Sequence, residues 1–124
     1  MMLLWVMIAG GLGSGARYLV GRSALATFGG SFPYGTLIVN LVGCFALGIV
    51  VQIASSGEWS PELRATIAVG FLGGFTTYSS FNQETLMLVS SGAIGAAGLN
   101  VALTLAGGLA AATLGMFAAR MLQS

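Results

Sequence analysis

The chain of 124 residues contains no histidine, no lysine and no aspartate; its only charged side chains are four arginines and three glutamates. Those absences exclude most of what proteins do. Glu58, Glu62 and Glu84 are scattered, so acid–base pairs, serine triads and imidazole metal sites have no residues to be built from. A net charge of +1 provides no basic stripe to neutralise a run of phosphates, which removes nucleic acid as a partner. The single cysteine, Cys44, cannot close an internal disulfide, and its apolar neighbours suit an inert thiol. Charged residues make up 6% of the chain, against roughly a quarter in soluble domains. What is abundant instead is apolar surface, 56% of residues, together with 20 glycines and a mean hydropathy of +0.95. This chain is built for a bilayer.

The charges divide the sequence into uncharged runs at 1–16, 23–57, 65–83 and 85–119. A hydrocarbon core about 30 Å thick takes roughly 20 apolar residues per helix. That predicts one domain of four transmembrane helices, near 3–28, 35–55, 62–90 and 93–122, joined by short turns at 29–34, 56–61 and 90–92. Ser60 is placed to cap the third span, with Pro61 at its first position and Glu62 at the positive end of its dipole. Ala24-Leu25-Ala26 imitates a signal-peptidase site, but no basic residue precedes the apolar stretch. The run from Gly11 to Ala16 satisfies G-x-G-x-x-A, yet it lacks the soluble βαβ setting and the acid about 20 residues on that a dinucleotide needs. Gly11 and Gly15, like Gly70 and Gly74, read better as small-xxx-small packing seams.

Four spans place Arg64 and Arg120 on one side of the membrane and Arg17 and Arg22 on the other. An excess of basic residues normally fixes orientation, and two against two is no excess. Insertion both ways round is the expectation, and an antiparallel homodimer would also supply the interior that so small a chain lacks. A fixed topology set by something other than charge is the competing expectation.

Polar residues at membrane depth need partners and tend to mark function. Thr36 and Asn40 share a helix face with Gly43, and Asn100, Thr104 and Gly108 repeat every four residues. Such stripes line a thin wet track or act as interhelical glue worth about 1 kcal/mol per contact. The third span reads Gly70-Phe71-Leu72-Gly73-Gly74-Phe75-Thr76-Thr77-Tyr78-Ser79-Ser80-Phe81-Asn82. Paired glycines beside threonines and serines are poor helix formers, which predicts a break. Irregular backbone at that depth survives only inside protein or beside water, and it frees carbonyls for a cation. Two copies crossing there can surround one Na⁺, a monovalent ion because no acid stands near. A packing notch holding no ion is the plainer alternative.

The stretch Gly35-Thr36-Leu37-Ile38-Val39-Asn40-Leu41-Val42-Gly43, together with Gly70 to Phe81, Glu84, Arg17 and the four-span layout, resembles the CrcB or Fluc family of fluoride channels. The resemblance implies an all-α, dual-topology homodimer in the bacterial inner membrane. It implies passive fluoride export through two antiparallel pores, with a structural Na⁺ at the dimer centre. By motif position it assigns the sodium carbonyls to Gly73 and Thr76 and the pore aromatics to Tyr78 and Phe81. It makes Asn40 the pore asparagine, Thr104 a hydroxyl of the fourth-helix track and Arg17 a vestibule arginine. Tyr78 stands where the family usually has phenylalanine, while Asn100 and Gly108 depart from the usual fourth-helix side chains.

The chemistry agrees. Fluoride is small and strongly hydrated, so a selective path must replace water with close donors, for which the Asn40 amide and the Ser79, Ser80 and Thr104 hydroxyls are available. Aromatic rings carry positive edges that can face a dehydrated anion. A fixed cation in the narrow part would trap the ion, because conduction needs release, and no arginine falls there. Arg17, deeper than Arg22, is expected to draw anions to a vestibule or to pair with Glu84, itself read as a polar-network partner. Two other classes compete. A proton-coupled small multidrug-type transporter resembles this chain in size, but its mechanism rests on a first-span carboxylate, and this first span holds only arginines. A non-transporting structural subunit leaves the 73–81 cluster without a purpose.

Overall fold

A computed structural model describes residues 1–124 as helices and short turns, with no strand. Helix α1 covers Met2–Phe28 and α2 covers Tyr34–Ala54. The third span is composite. It begins as α3 (Pro61–Arg64), widens into a π-helix over Ala65–Leu72, closes again as α4 (Gly73–Phe75), is non-helical at 76–78, and resumes as α5 (Ser79–Ser90). Helix α6 covers Ile94–Gln123. At 27, 21 and 30 residues, α1, α2 and α6 are each long and apolar enough to cross a membrane, and the bent third span is the fourth membrane element.

Local chemistry sets the ends. The Ser60 hydroxyl accepts from the Leu63 amide at 3.1 Å, with Pro61 at the first helical position and Glu62 in the first turn. Gly29 and Gly92 stop α1 and α5 with φ of 80° and 85°, a left-handed backbone that glycine adopts without steric cost.

The packing is inside out relative to a soluble bundle. Only 17 of 124 residues are buried, many of them glycine or alanine, while Leu19, Leu86, Leu109 and Leu114 point outward. Lipid is as apolar as leucine, so these helices associate by close backbone approach at small residues. Helices α2 and α6 meet where Gly48 lies against the Ala112 carbonyl and Gly115 against the Phe45 carbonyl, leaving no room for a Cβ at either position. Helix α1 meets the third span in the same way, with Gly13 on the Phe71 carbonyl, Gly74 on the Gly10 carbonyl and Gly70 on Ala9.

The expected seam is therefore half corrected. Gly70 and Gly74 pack as anticipated, but Gly11 and Gly15 have nothing within 4 Å, and Gly10 and Gly13 do their work. The reason lies in helical spacing: Ala9, Gly13 and Arg17 recur every four residues and so share a face, and turning that face inward carries Arg17 to the third span. The break falls within the glycine–threonine–serine stretch, as expected. Gly73 and Gly74 remain helical because Gly74 is needed for contact with α1, and the chain becomes extended three residues after Gly73, at Thr76, with φ −85° and ψ 162°.

Candidate functional site: the broken third span and three linked cavities

At the break, backbone donors are diverted to side chains. In a continuous helix the Thr77 amide would bond the Gly73 carbonyl, the Tyr78 amide that of Gly74, and the Ser80 amide that of Thr76. Instead the Thr77 amide donates to Asn40 Oδ1 at 2.8 Å, and Asn40 Nδ2 donates back to the Thr77 carbonyl at 3.0 Å. The Ser80 amide donates to Thr77 Oγ1 at 3.2 Å, which caps α5. The Gly74 carbonyl is taken by Arg17 Nε at 3.0 Å, with Ser14 Oγ at 3.5 Å. Thr76 Oγ1 donates to the Leu72 carbonyl at 2.9 Å, closing the end of the preceding helix. The carbonyls of Gly73 and Thr76 receive no hydrogen bond from within the chain. They are strong neutral oxygen donors, and no cluster of acids or cysteines stands near to hold a divalent ion.

Around this break lie three cavities that share walls. The first, 480 Å³, is lined by Asn40, Tyr78, Phe81 and Thr104, and also by Gly73 and Thr76. The Tyr78 and Phe81 rings, which both line the space, are 5.8 Å apart and inclined at 58°. Phe81 is 5% exposed, whereas Tyr78 is 70% exposed on the outer face of the chain. Thr104 Oγ1 is buried and unpartnered, unlike the hydroxyls of Thr66, Thr85 and Thr113, which bond carbonyls one turn back. Asn40 retains one N–H after bracing Thr77. No charged side chain lines this cavity.

The second cavity, 300 Å³, contains Arg17, Arg22, Thr36 and Ser80, and shares Thr77 with the first. The third, 540 Å³, contains Glu84 and opens beside the turn between α1 and α2, with Thr36 and Gly35 as shared walls. One oxygen of Glu84, Oε1, is buried without a hydrogen bond. The candidate residues thus fall in sequence from Thr104 and Phe81, past Thr77, to Arg17 and Ser80, then past Thr36 to Glu84.

Not every candidate joins this series. Ser79 is exposed and lines none of the three spaces; its hydroxyl lies 3.4 Å from Thr77 Oγ1. Arg17 and Glu84 line different cavities, and Arg17 bonds the Gly74 carbonyl instead. Asn100 is 2% exposed and donates to Thr85 Oγ1 at 2.9 Å, which makes it a tie between α5 and α6. Gly108 packs against the Cys44 sulfur, which leaves the sulfur where a side chain at 108 would project. Sequence inspection missed Thr77, whose backbone and hydroxyl both hold the break; its only signal was a β-branched residue next to another in a glycine-rich run.

Fold and site together define a small multi-pass helical membrane protein with linked cavities that hold polar side chains. Residues 4–116 match the family described as "CrcB-like protein, Camphor Resistance (CrcB)", and the chain belongs to that family. It is 51% identical over 121 residues to a protein of Anaeromyxobacter dehalogenans (strain 2CP-1 / ATCC BAA-258) named "Fluoride-specific ion channel FluC", covering 97% of this chain and 93% of that one. It is 45% identical to a protein of the same name from Sorangium cellulosum (strain So ce56), with 95% and 94% coverage. A third relative so named, from Shewanella woodyi (strain ATCC 51908 / MS32), is 44% identical with 83% coverage of each chain. Those names describe ion channels and not enzymes.

Proposed function

We propose that this chain forms a passive fluoride-selective channel in the bacterial inner membrane, as an antiparallel homodimer with two pores. The first cavity carries the proposal: it offers hydrogen-bond donors and aromatic edges but no fixed charge. A fluoride ion leaving water there meets the remaining Asn40 N–H, the idle Thr104 hydroxyl and the ring edges of Phe81 and Tyr78. None of these can titrate it or hold it as an ion pair, so it can be released again. The arginine-lined second cavity raises the local concentration of anions, and Ser80 with Thr36 continues the donor series toward Glu84. Close donors favour the small anion over chloride, whose lower charge density gains less from them.

The dimer follows from what lipid cannot satisfy. Tyr78 and Gly73 are exposed, and two carbonyls at the same depth lack partners. Hydrocarbon offers such groups nothing. A second, inverted copy crossing at the break covers them, and the balance of two arginines against two permits both orientations. Gly73 and Thr76 of both copies would then present four neutral carbonyls, a donor set suited to one Na⁺. Such an ion would tie the two broken spans together. Proteoliposomes loaded with fluoride or chloride test the proposal. Rapid, voltage-sensitive fluoride efflux with chloride retained is expected; equal efflux of both, or none, would refute it.

A further inference from the structure

Arg17 has two faces in this fold. Its guanidinium lines the second cavity, which suits an anion-attracting charge, yet its Nε is spent on the Gly74 carbonyl. That carbonyl has no other strong donor. The Tyr78 amide that would reach it in a continuous helix does not, and Ser14 Oγ stands at 3.5 Å, the edge of hydrogen-bond range. Gly74 is also the residue that touches the backbone of α1 at Gly10, so the tether lies two turns along α1 from that close contact. Together these hold Gly74 to α1 at two points.

We infer that Arg17 is a positioning residue: through Nε–H it holds the Gly74 carbonyl inward, and so keeps the neighbouring Gly73 and Thr76 carbonyls and the Tyr78–Phe81 pair in register with Asn40. This role is separate from its charge. It rests on the channel reading above, because the pore is what the tether keeps in shape. The two roles divide by chemistry. Glutamine reaches as far as arginine's Nε, since its Nε2 is the same number of bonds from Cα, but it carries no charge. Methionine matches the length and has neither donor nor charge.

The test is fluoride efflux from proteoliposomes, measured against fluoride concentration, for wild type, Arg17→Gln and Arg17→Met, with dimer assembly followed by size exclusion. Arg17→Gln is expected to raise the half-saturating fluoride concentration severalfold, because attraction is lost, while keeping at least half of the saturating efflux. Arg17→Met is expected to lower saturating efflux by about tenfold or more, the effect of about 1.4 kcal/mol or more. Equal loss of saturating efflux in both variants, or loss in neither, overturns the inference. If Arg17→Met fails to assemble, Arg17→Gln decides alone: an intact dimer with less than a tenth of wild-type saturating efflux overturns it, and half or more sustains it. A wild type that releases no fluoride refutes the channel reading itself, whereas a conducting wild type with matching variants refutes only the tether.

Discussion

Replacing Asn40 by alanine removes both partners of the Thr77 peptide in one step. The lost bonds are the 2.8 Å bond from the Thr77 amide and the 3.0 Å bond to its carbonyl. A buried backbone group left unpaired costs about 1–3 kcal/mol, so the pair is worth about 2–6 kcal/mol if nothing relaxes. The chain has an escape: the freed Thr77 amide can turn back to the Gly73 carbonyl and wind the span toward continuity, which recovers part of that cost while dismantling the break. Asn40→Ala is therefore expected to assemble and to melt lower in detergent, with fluoride efflux down by at least about tenfold. Asn40→Asp separates bracing from charge. Its carboxylate can still accept from the Thr77 amide, but at about 4 Å and an effective dielectric near 20 a like charge opposes an anion by about 4 kcal/mol, about a thousandfold in rate. Efflux should nearly vanish in Asn40→Asp while its melting temperature stays above that of the alanine variant. An Asn40→Ala protein with wild-type melting and efflux within twofold of wild type would show that the diverted hydrogen bonds do not hold the break.

Other outcomes follow from separate contacts. Phe81→Ala should abolish most fluoride efflux in an intact dimer, because a ring lining the cavity is lost; wild-type flux would remove Phe81 from the pore. Thr85→Val strips the acceptor from the buried Asn100 amide, which should cost about 1–3 kcal/mol, seen as lower thermal stability with an unchanged fluoride-to-chloride ratio. Gly48→Ala drives a methyl into the Ala112 carbonyl and should destabilise the α2–α6 pair by about 1–3 kcal/mol, read as reduced yield of folded protein on size exclusion. Lysines added at Ser31 in one variant and at Ser56 in another should bias orientation oppositely, so each alone conducts poorly and coexpression restores flux. Full activity of each alone would argue against opposed insertion.

Much of the fold could be foreseen because the controlling signals are local. Ser60, Pro61 and Glu62 lie next to one another and describe their own helix start. Chains of apolar residues between charges mark spans without reference to any partner. The seam of α1 was misplaced for the opposite reason. Gly11 and Gly15 satisfy the same spacing as a true seam, and which face of a helix turns inward depends on what the neighbouring span can receive, here the side chain of Arg17. The break was foreseen because paired glycines and β-branched threonines weaken the helix locally, but not its anchor, since Asn40, 37 residues away from Thr77, chooses the peptide that leaves it. Asn100 was ambiguous in sequence because glue and track have the same polar signature; only its bond to Thr85 separates them.

The widened winding over Ala65–Leu72 gives this span a store of slack. Rewinding it as an ordinary α-helix would require fewer residues to cover the same rise, and the tighter winding would turn everything beyond it by tens of degrees about the axis. Tyr78 and Phe81 would then shift out of register with Asn40, though the helix would still be long enough and greasy enough to insert. Loss of one codon in this stretch is thus a route by which the gene could keep making a membrane protein that no longer conducts, and length variation in related sequences should be scarcest there.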